Sequence, residues 1–207
     1  MHTIVVGLSI KRAPLEILEQ LSVHHSQNEL CVQDVKAAAG LAGAVVLSTC
    51  NRLEFYGVCE DADEGVARVR DFILGQEGAA DAAPARQYAF TDGRAVRHLF
   101  EVVCGLDSLI VGETEIAGQV SRAYRASCKA GANDKMVNVW FQRALSLGKK
   151  VRSETRISRY STSIGRIAVE LAARELGGIA DKRVLILGAG EMSELTMKYL
   201  VAQDVSV

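Results

Sequence analysis

The chain has no excess of charge: 24 Lys and Arg stand against 25 Asp and Glu, a net charge of −1. That excludes a protein that binds nucleic acid over its whole surface and leaves only local contact. Paired cysteine motifs are missing too. The five cysteines (Cys31, Cys50, Cys59, Cys104, Cys128) are odd in number and none form a C-x-x-C. No secretory stretch opens the sequence, so free thiols in a reducing cytosol are expected rather than a disulfide framework. Histidine clusters are absent. His24-His25 is the one pair, and adjacent residues in a helix or strand do not converge on one metal, so no metal site is expected. No apolar run approaches the ~20 residues that cross a bilayer. At 207 residues the length allows one or two domains.

What is present centres on Ser48-Thr49-Cys50-Asn51-Arg52, between the apolar run Ala44-Val45-Val46-Leu47 and Leu53-Glu54-Phe55-Tyr56-Gly57-Val58. This pattern reads as a buried strand, a tight polar turn and a returning strand. The turn sets a thiol among a hydroxyl, an amide and a guanidinium. Thiolate is the reactive form of cysteine, and an adjacent cation lowers the thiol pKa. Arg52 can serve as that cation or as a fork for a substrate carboxylate. The plainer reading is a small, half-buried cysteine closing a turn.

Around this turn the pattern predicts a strand at 3–8 and a helix opening at Pro14, with Leu15, Leu18 and Leu21 buried. A second helix spans 28–39, with Val32 and Val35 facing inward. Strands follow at 44–49 and 53–59; in the latter Leu53, Phe55 and Cys59 share one face and Glu54 and Tyr56 the other. A helix at 63–74 buries Val66, Val69, Phe72 and Ile73. Residues 75–86, rich in Gly, Ala and Asp, read as a mobile loop, and 87–91 as a short last strand. The order β-α-β-β-α-β is that of a ferredoxin-like sheet, with Cys59 in the core and Cys50 at the rim. In the helix at 93–103, Val96, Leu99, Phe100 and Val103 form the expected buried stripe. His98 lies off it, beside Arg94, Arg97 and Glu101. It is either a solvated helix histidine or a proton-transfer group near Cys50.

Three further features bear on function. The run Gly105-Leu106-Asp107-Ser108 to Gly112-Glu113-Thr114-Glu115-Ile116-Ala117-Gly118-Gln119 begins as a loop and becomes a helix near Glu113 or Thr114. Its Ser, Glu and Gln side chains suit a polar ligand with an amino group; a helix cap with solvated carboxylates is the bland alternative. A helix at 136–151 buries Val137, Trp140, Phe141, Ala144, Leu147 and Val151. Its end and the following linker hold Lys149, Lys150, Arg152, Arg156, Arg159 and Arg166, with Glu154 the one acid among them. This is a solvated face or a contact for a phosphate backbone. A helix at 164–176 is expected to bury Ile164, Ile167, Ala168 and Leu171. The period then changes. A fully buried strand is expected at 183–187, then Gly188-Ala189-Gly190-Glu191-Met192-Ser193, a helix at 191–202 and a strand beginning at 205. Strand, glycine-rich turn and helix make the opening of a dinucleotide-binding unit, with Ser193 where a third glycine often stands. The ribose-reading position, ~20 residues on, lies past the last residue, so NAD and NADP are not distinguished. A half-built sheet of this kind exposes an apolar edge, so the chain is expected to be a piece of a longer protein.

Taken together, Val5-Val6-Gly7-Leu8-Ser9, Ala13-Pro14, STCNRLE at 48–54, Arg97-His98-Leu99-Phe100, GLDS at 105–108, GETEI at 112–116 and Gly188-Ala189-Gly190 resemble the glutamyl-tRNA reductases over essentially the whole chain. Ile10, where that family usually carries histidine, and Ser193 depart from it. The resemblance implies reduction of glutamyl-tRNA(Glu) to glutamate-1-semialdehyde through a thioester on Cys50, with hydride from NADPH, as the first step of five-carbon tetrapyrrole synthesis. It implies a glutamate site of Thr49, Asn51, Arg52, Ser108, Glu113, Thr114, Glu115 and Gln119. Arg52 would meet the carboxylate, and Glu113 or Glu115 the α-ammonium. His98 would act in proton transfer or in handling the tRNA end, and Gly188, Ala189, Gly190, Glu191, Met192 and Ser193 would hold NADPH. Residues 1–150 would form the catalytic domain, α+β and ferredoxin-like with added helices. Residues 151–207 would form a linker helix and the start of an α/β Rossmann domain. The resemblance also implies a cytoplasmic homodimer that passes product to glutamate-1-semialdehyde aminomutase. Two rival readings are a non-catalytic tRNA-binding module and a dehydrogenase of a small free metabolite.

Overall fold

The computed structural model describes residues 1–76, 84–157, 164–180, 182–188, 190–203 and 205. Its centre is one antiparallel sheet of four strands, β1 (His2–Ser9), β2 (Gly43–Ser48), β3 (Arg52–Cys59) and β4 (Tyr88–Thr91), in the order β2-β3-β1-β4. Val5 lies opposite Tyr56, and Ser9 opposite Arg52. A one-residue slip would turn every side chain to the wrong face, and here both faces are specified.

The alternation along β3 sorts the core. Leu53, Phe55 and Cys59 join Ile4, Val6 and Leu8 on one face. There they meet α1 (Leu15–Leu21), α2 (Asn28–Ala38) and α3 (Ala62–Leu74) through Leu18, Val32, Val35, Val69 and Ile73. On the other face Val5, Val45, Leu47, Tyr56 and Val58 meet α4 (Asp92–Val103), α5 (Glu115–Lys129) and α6 (Lys135–Glu154) through Leu99, Val120, Val137 and Phe141. The fold is thus a mixed α/β arrangement in which helices cover both sides of a small antiparallel sheet. Double coverage explains why 44–47 is a continuous apolar run. Each fully buried aliphatic side chain contributes roughly 1.5–3 kcal/mol of gross hydrophobic free energy. Helix starts are set locally: the Asp61 carboxylate accepts from Glu64 N at 2.9 Å, and that of Asp134 from Val137 N at 2.7 Å.

Two expected stripes are rotated. In α1, Leu15 is exposed and Ile17 buried. In α4, Ala95, His98, Leu99, Val102 and Val103 are buried, while Val96 and Phe100 are half-buried. The turn of α4 brings His98 inward because a buried carboxylate on β3 waits there, a partner that periodicity within α4 cannot reveal.

A second, smaller cluster joins α7 (Ile164–Glu175) and α8 (Glu191–Val201) through Val169, Ile179, Leu200 and Val205. Here the expectations fail in part. Ile167, Ala168 and Leu171 are exposed, and Val169 with Ala172 and Ala173 makes the contact instead. Residues 183–187 do not form a strand. Val184 and Ile186 pack on the cluster, while Leu185 is 82 % and Leu187 87 % exposed. Only Arg183 makes a β-bridge, to a residue outside the described ones, and 184–187 do not continue it; an extended strand needs a continuing ladder. Residues 77–83 of the expected loop, Arg159, Ala189, Ser206 and Val207 lie outside the described residues, as do the side chains of Ile164, Glu191 and Met192; Pro84–Arg86 is one turn of 3-10 helix. Among the described residues no helix is long and apolar enough to cross a membrane.

Candidate active site

The β2–β3 turn is held by its own hydroxyl. Thr49 N donates to Arg52 O at 2.9 Å, and Thr49 Oγ1 accepts from Asn51 N and Arg52 N at 3.2 Å each. This closed loop presents Cys50 outward at the end of the sheet, where it is exposed; Cys59 and Cys104 are buried.

Cys50 lies on the wall of a cavity of about 560 Å³. Thr49, Asn51, Arg52, Ser108, Glu113, Glu115 and Gln119 line it on the same side. Gly165, Ala168, Ile186, Ser193 and Thr196 line the side formed by α7 and the glycine-rich segment. The sequence-predicted residues therefore converge, with clear exceptions. Thr114 does not line the cavity and precedes α5 without a side-chain cap bond. His98 does not reach it either. Of the expected cofactor residues that are described, Ser193 lines it, while Gly188 and Gly190 stand back from it.

Behind this wall is a buried ionic network. Glu54 is 0 % exposed. Its Oε1 accepts from Arg52 Nη1 at 2.8 Å, from His98 Nε2 at 2.8 Å and from the Tyr88 hydroxyl, and its Oε2 accepts from the Tyr56 hydroxyl. Burial pushes the Glu54 carboxyl upward, but Arg52, His98 and Tyr56 more than offset this and hold it well below the usual carboxylate range. Arg52, 3 % exposed, also donates from Nη2 to Asp107 O at 2.9 Å and to Asp107 Oδ2 at 3.0 Å. Lys11 Nζ donates to Asp107 Oδ1 at 2.6 Å. These bonds tie the 105–112 loop to the sheet. Gly112, at φ +84°, completes the loop where a Cβ would strike Ile157 O. The loop delivers Ser108, which is buried with its Oγ lacking a partner in the structure.

This geometry corrects the expectation for the thiol. Arg52 is engaged by Glu54 and Asp107 and does not lower the Cys50 pKa. The Cys50 thiol is pushed up, first by desolvation in the cavity wall and then by Glu113 and Glu115, with its own backbone N–H acting the other way. The residues missed in the sequence are Glu54 as a buried anchor, with Tyr88 and Asp107 around it. The available signal was a carboxylate placed mid-strand within an apolar run, which has to find partners.

On the opposite wall, Gly188 has φ +123°, and a Cβ there would sit 3.3 Å from Ser193 Oγ. Gly190 precedes α8 in an extended conformation with open space about its Cα, and no side chain caps the helix start. Unbonded N–H groups at such a start suit a phosphate.

The family model for glutamyl-tRNA(Glu) reductase, N-terminal domain, matches residues 6–155, and a shikimate/quinate 5-dehydrogenase model matches 170–207. The chain is 44% identical over 207 residues to a glutamyl-tRNA reductase of Heliobacterium mobile, covering 99% of this chain and 46% of that protein. With that of Desulfitobacterium hafniense identity is 45% over 204 residues, covering 98% and 46%. The solved structure of glutamyl-tRNA reductase from Methanopyrus kandleri superposes with a TM-score of 0.68 at 39% identity, covering 98% of this chain and 47% of that one. The chain spans about half the length of the curated relatives it matches.

Proposed function

Because this chain belongs to the glutamyl-tRNA reductase family, we propose that it carries the acyl-accepting site for NADPH-dependent reduction of glutamyl-tRNA(Glu) to glutamate-1-semialdehyde, the first step of five-carbon tetrapyrrole synthesis. The carrying observation is one cavity that gathers Cys50, Ser108, Glu113, Glu115 and Gln119 from separate elements. The Cys50 thiolate attacks the ester carbonyl that joins glutamate to the 3′-terminal ribose. A C–S bond forms, the C–O bond to ribose breaks, and the departing ribose oxygen takes a proton from water. The product is a glutamyl thioester on Cys50 and free tRNA.

Binding itself prepares the nucleophile. Glu113 and Glu115 raise the thiol pKa in the free protein. An α-ammonium held between them cancels that field and favours thiolate where the substrate sits. Arg52 lines the cavity with its charge already matched by Glu54 and Asp107, so it would meet the glutamate carboxylate through its remaining N–H groups and not through free charge, and the unpartnered Ser108 Oγ supplies a hydrogen bond. His98 acts as a positioning residue, holding Glu54 and through it Arg52.

The second wall fits a dinucleotide. Gly188, Ala189, Gly190, Glu191, Met192 and Ser193 would hold NADPH, with the uncapped start of α8 facing its pyrophosphate. When bound, NADPH supplies the hydride that takes the thioester to the aldehyde. The β2-β3-β1-β4 order supports a ferredoxin-like reading of residues 1–150, and the match at 170–207 supports a Rossmann opening in 151–207. A cytoplasmic homodimer that hands product to an aminomutase is the setting we infer from the family.

The test is acyl transfer. The protein is mixed with tRNA(Glu) charged with labelled glutamate, quenched in acid and mapped by peptide mass spectrometry. Label is expected on the Cys50 peptide, released by hydroxylamine and absent in Cys50→Ser. Label confined to Cys128, or tRNA bound with no label, would overturn the assignment.

A further inference from the structure

We propose that a niche beside the Cys50 cavity, lined by Asn28, Ser48 and Arg122, receives the ribose–phosphate of the 3′-terminal nucleotide of an aminoacylated RNA, and that the basic face of α5 carries the adjoining backbone. This rests on the reading of Cys50 as acyl acceptor. The niche measures about 170 Å³, the scale of a sugar–phosphate group. Gln119 lines both it and the larger cavity, and Ser48 precedes the Cys50 turn directly.

Its polar groups are complementary to a sugar–phosphate. Asn28 is buried; its Nδ2 donates to Val46 O at 3.0 Å, and its Oδ1 has no partner in the structure. That oxygen is an acceptor for a hydroxyl. Ser48 Oγ accepts from Val23 N at 3.0 Å, which leaves its own O–H to donate. Arg122 is exposed and makes no ion pair among the described residues, so its guanidinium is available to a phosphate.

Charge leads away from the niche. Residues 116–153 hold eight Lys and Arg against the single acid Asp134, in a chain whose net charge is −1. Asp134 is used in capping α6. On α5, Arg122, Arg125 and Lys129 are exposed at i, i+3 and i+7, one face of the helix. The first turns of the same helix give Glu115, Ile116 and Gln119 to the cavity. A polyanion lying along α5 thus ends at Cys50. Lys129 is held by Glu29 at 2.7 Å, so the free positive charge is strongest next to the niche.

Binding of uncharged tRNA(Glu), and of the same RNA lacking its last nucleotide, tests this by fluorescence anisotropy across a salt series. Wild type is expected to prefer the intact RNA. In Arg122→Glu, affinity for intact RNA should fall about tenfold or more, the slope of log K against log salt should drop by about 1, and the preference for intact RNA should shrink. Equal losses for both RNAs, or none, would overturn the niche. So would adenosine 5′-monophosphate competing as well as the RNA, which would assign it to a free nucleotide. Circular dichroism checks that the variant is folded. Acyl transfer to Cys50 in wild type separates the two claims: transfer with no coupling in the binding series sinks the niche alone, and absence of transfer sinks the parent reading and the niche with it.

Discussion

The two walls of the Cys50 cavity are held in different ways. On the sheet side the charged groups behind the surface are paired: Glu54 takes four donors, Arg52 bonds to Glu54 and Asp107, and Asp107 also holds Lys11. On the other side a small apolar cluster of Val169, Ile179, Leu200 and Val205 supports the glycine-rich segment, and Leu185 and Leu187 face solvent. The first wall is fixed by charge inside a doubly covered sheet. The second rests on a few apolar contacts. The difference teaches that a buried ionic network fixes a cavity wall, and that a glycine-rich motif alone does not.

Removing the anchor should give the largest effect. Glu54→Gln leaves the buried Arg52 guanidinium with Asp107 as its single anionic partner, and breaking a buried pair this way typically costs about 3–5 kcal/mol. Leu185→Ser, on the second wall, should change stability by no more than about 0.5 kcal/mol. Denaturant unfolding measures both. A loss below about 1 kcal/mol for Glu54→Gln, or a loss above about 2 for Leu185→Ser, would erase the contrast between the walls.

Amide hydrogen exchange sharpens the same contrast without mutation. The amides of β3 should exchange only through global unfolding, while those of 184–188 should exchange rapidly. Protection of 185 and 187 comparable to β3 would show this segment to be paired beyond the single bridge at Arg183 and would erase the contrast.

A smaller effect follows from pH. The folded Glu54 carboxyl titrates well below the ordinary carboxylate range because Arg52, His98 and Tyr56 outweigh its burial. A depressed carboxyl contributes stability above its unfolded pKa, about 4.3, and loses it as pH falls towards the folded value. The stability gap between wild type and Glu54→Gln should therefore be full at pH 6 and narrow progressively below about pH 4. A gap that is constant from pH 6 to pH 3 would mean that Glu54 is not ionised in the folded protein.

Much of the first wall was legible in the sequence because its elements are local. The apolar run 44–47, the STCNR turn and the alternation of Leu53, Phe55 and Tyr56 each specify structure within a few residues. His98 was misplaced because its partner stands 44 residues away on another element. Of the two roles the sequence allows Arg52, cation for Cys50 or fork for a carboxylate, the first is suggested because neighbours in sequence look like neighbours in charge; Glu54, two residues on, claims that charge instead. The strand expected at 183–187 has the right composition, but among the described residues its pairing goes no further than a bridge at Arg183, and composition does not supply the continuing ladder. The stripe of α7 failed likewise, since Ile167 and Leu171 are apolar on a face that nothing described covers.

The finest test concerns the thiol. Glu113 and Glu115 belong to the GETEI run, and both raise the Cys50 pKa after desolvation has done so. Replacing one of two anions while keeping its shape should remove part of that rise and leave the burial contribution. Glu113→Gln should therefore move the pH profile of Cys50 alkylation by iodoacetamide to lower pH, with faster labelling at neutral pH. Cys31 gives an internal reference: burial and Asp34 push it up to about 11, and Glu113→Gln should not move it. Because Cys128 is exposed as well, label has to be assigned by peptide. A glutamate analogue bearing an α-ammonium should shift the wild-type profile in the same direction and the variant less, since the same field cannot be cancelled twice. An unmoved profile in the variant would separate the carboxylates from the thiol, and the role of substrate in preparing its own nucleophile would fall while the nucleophile itself stood.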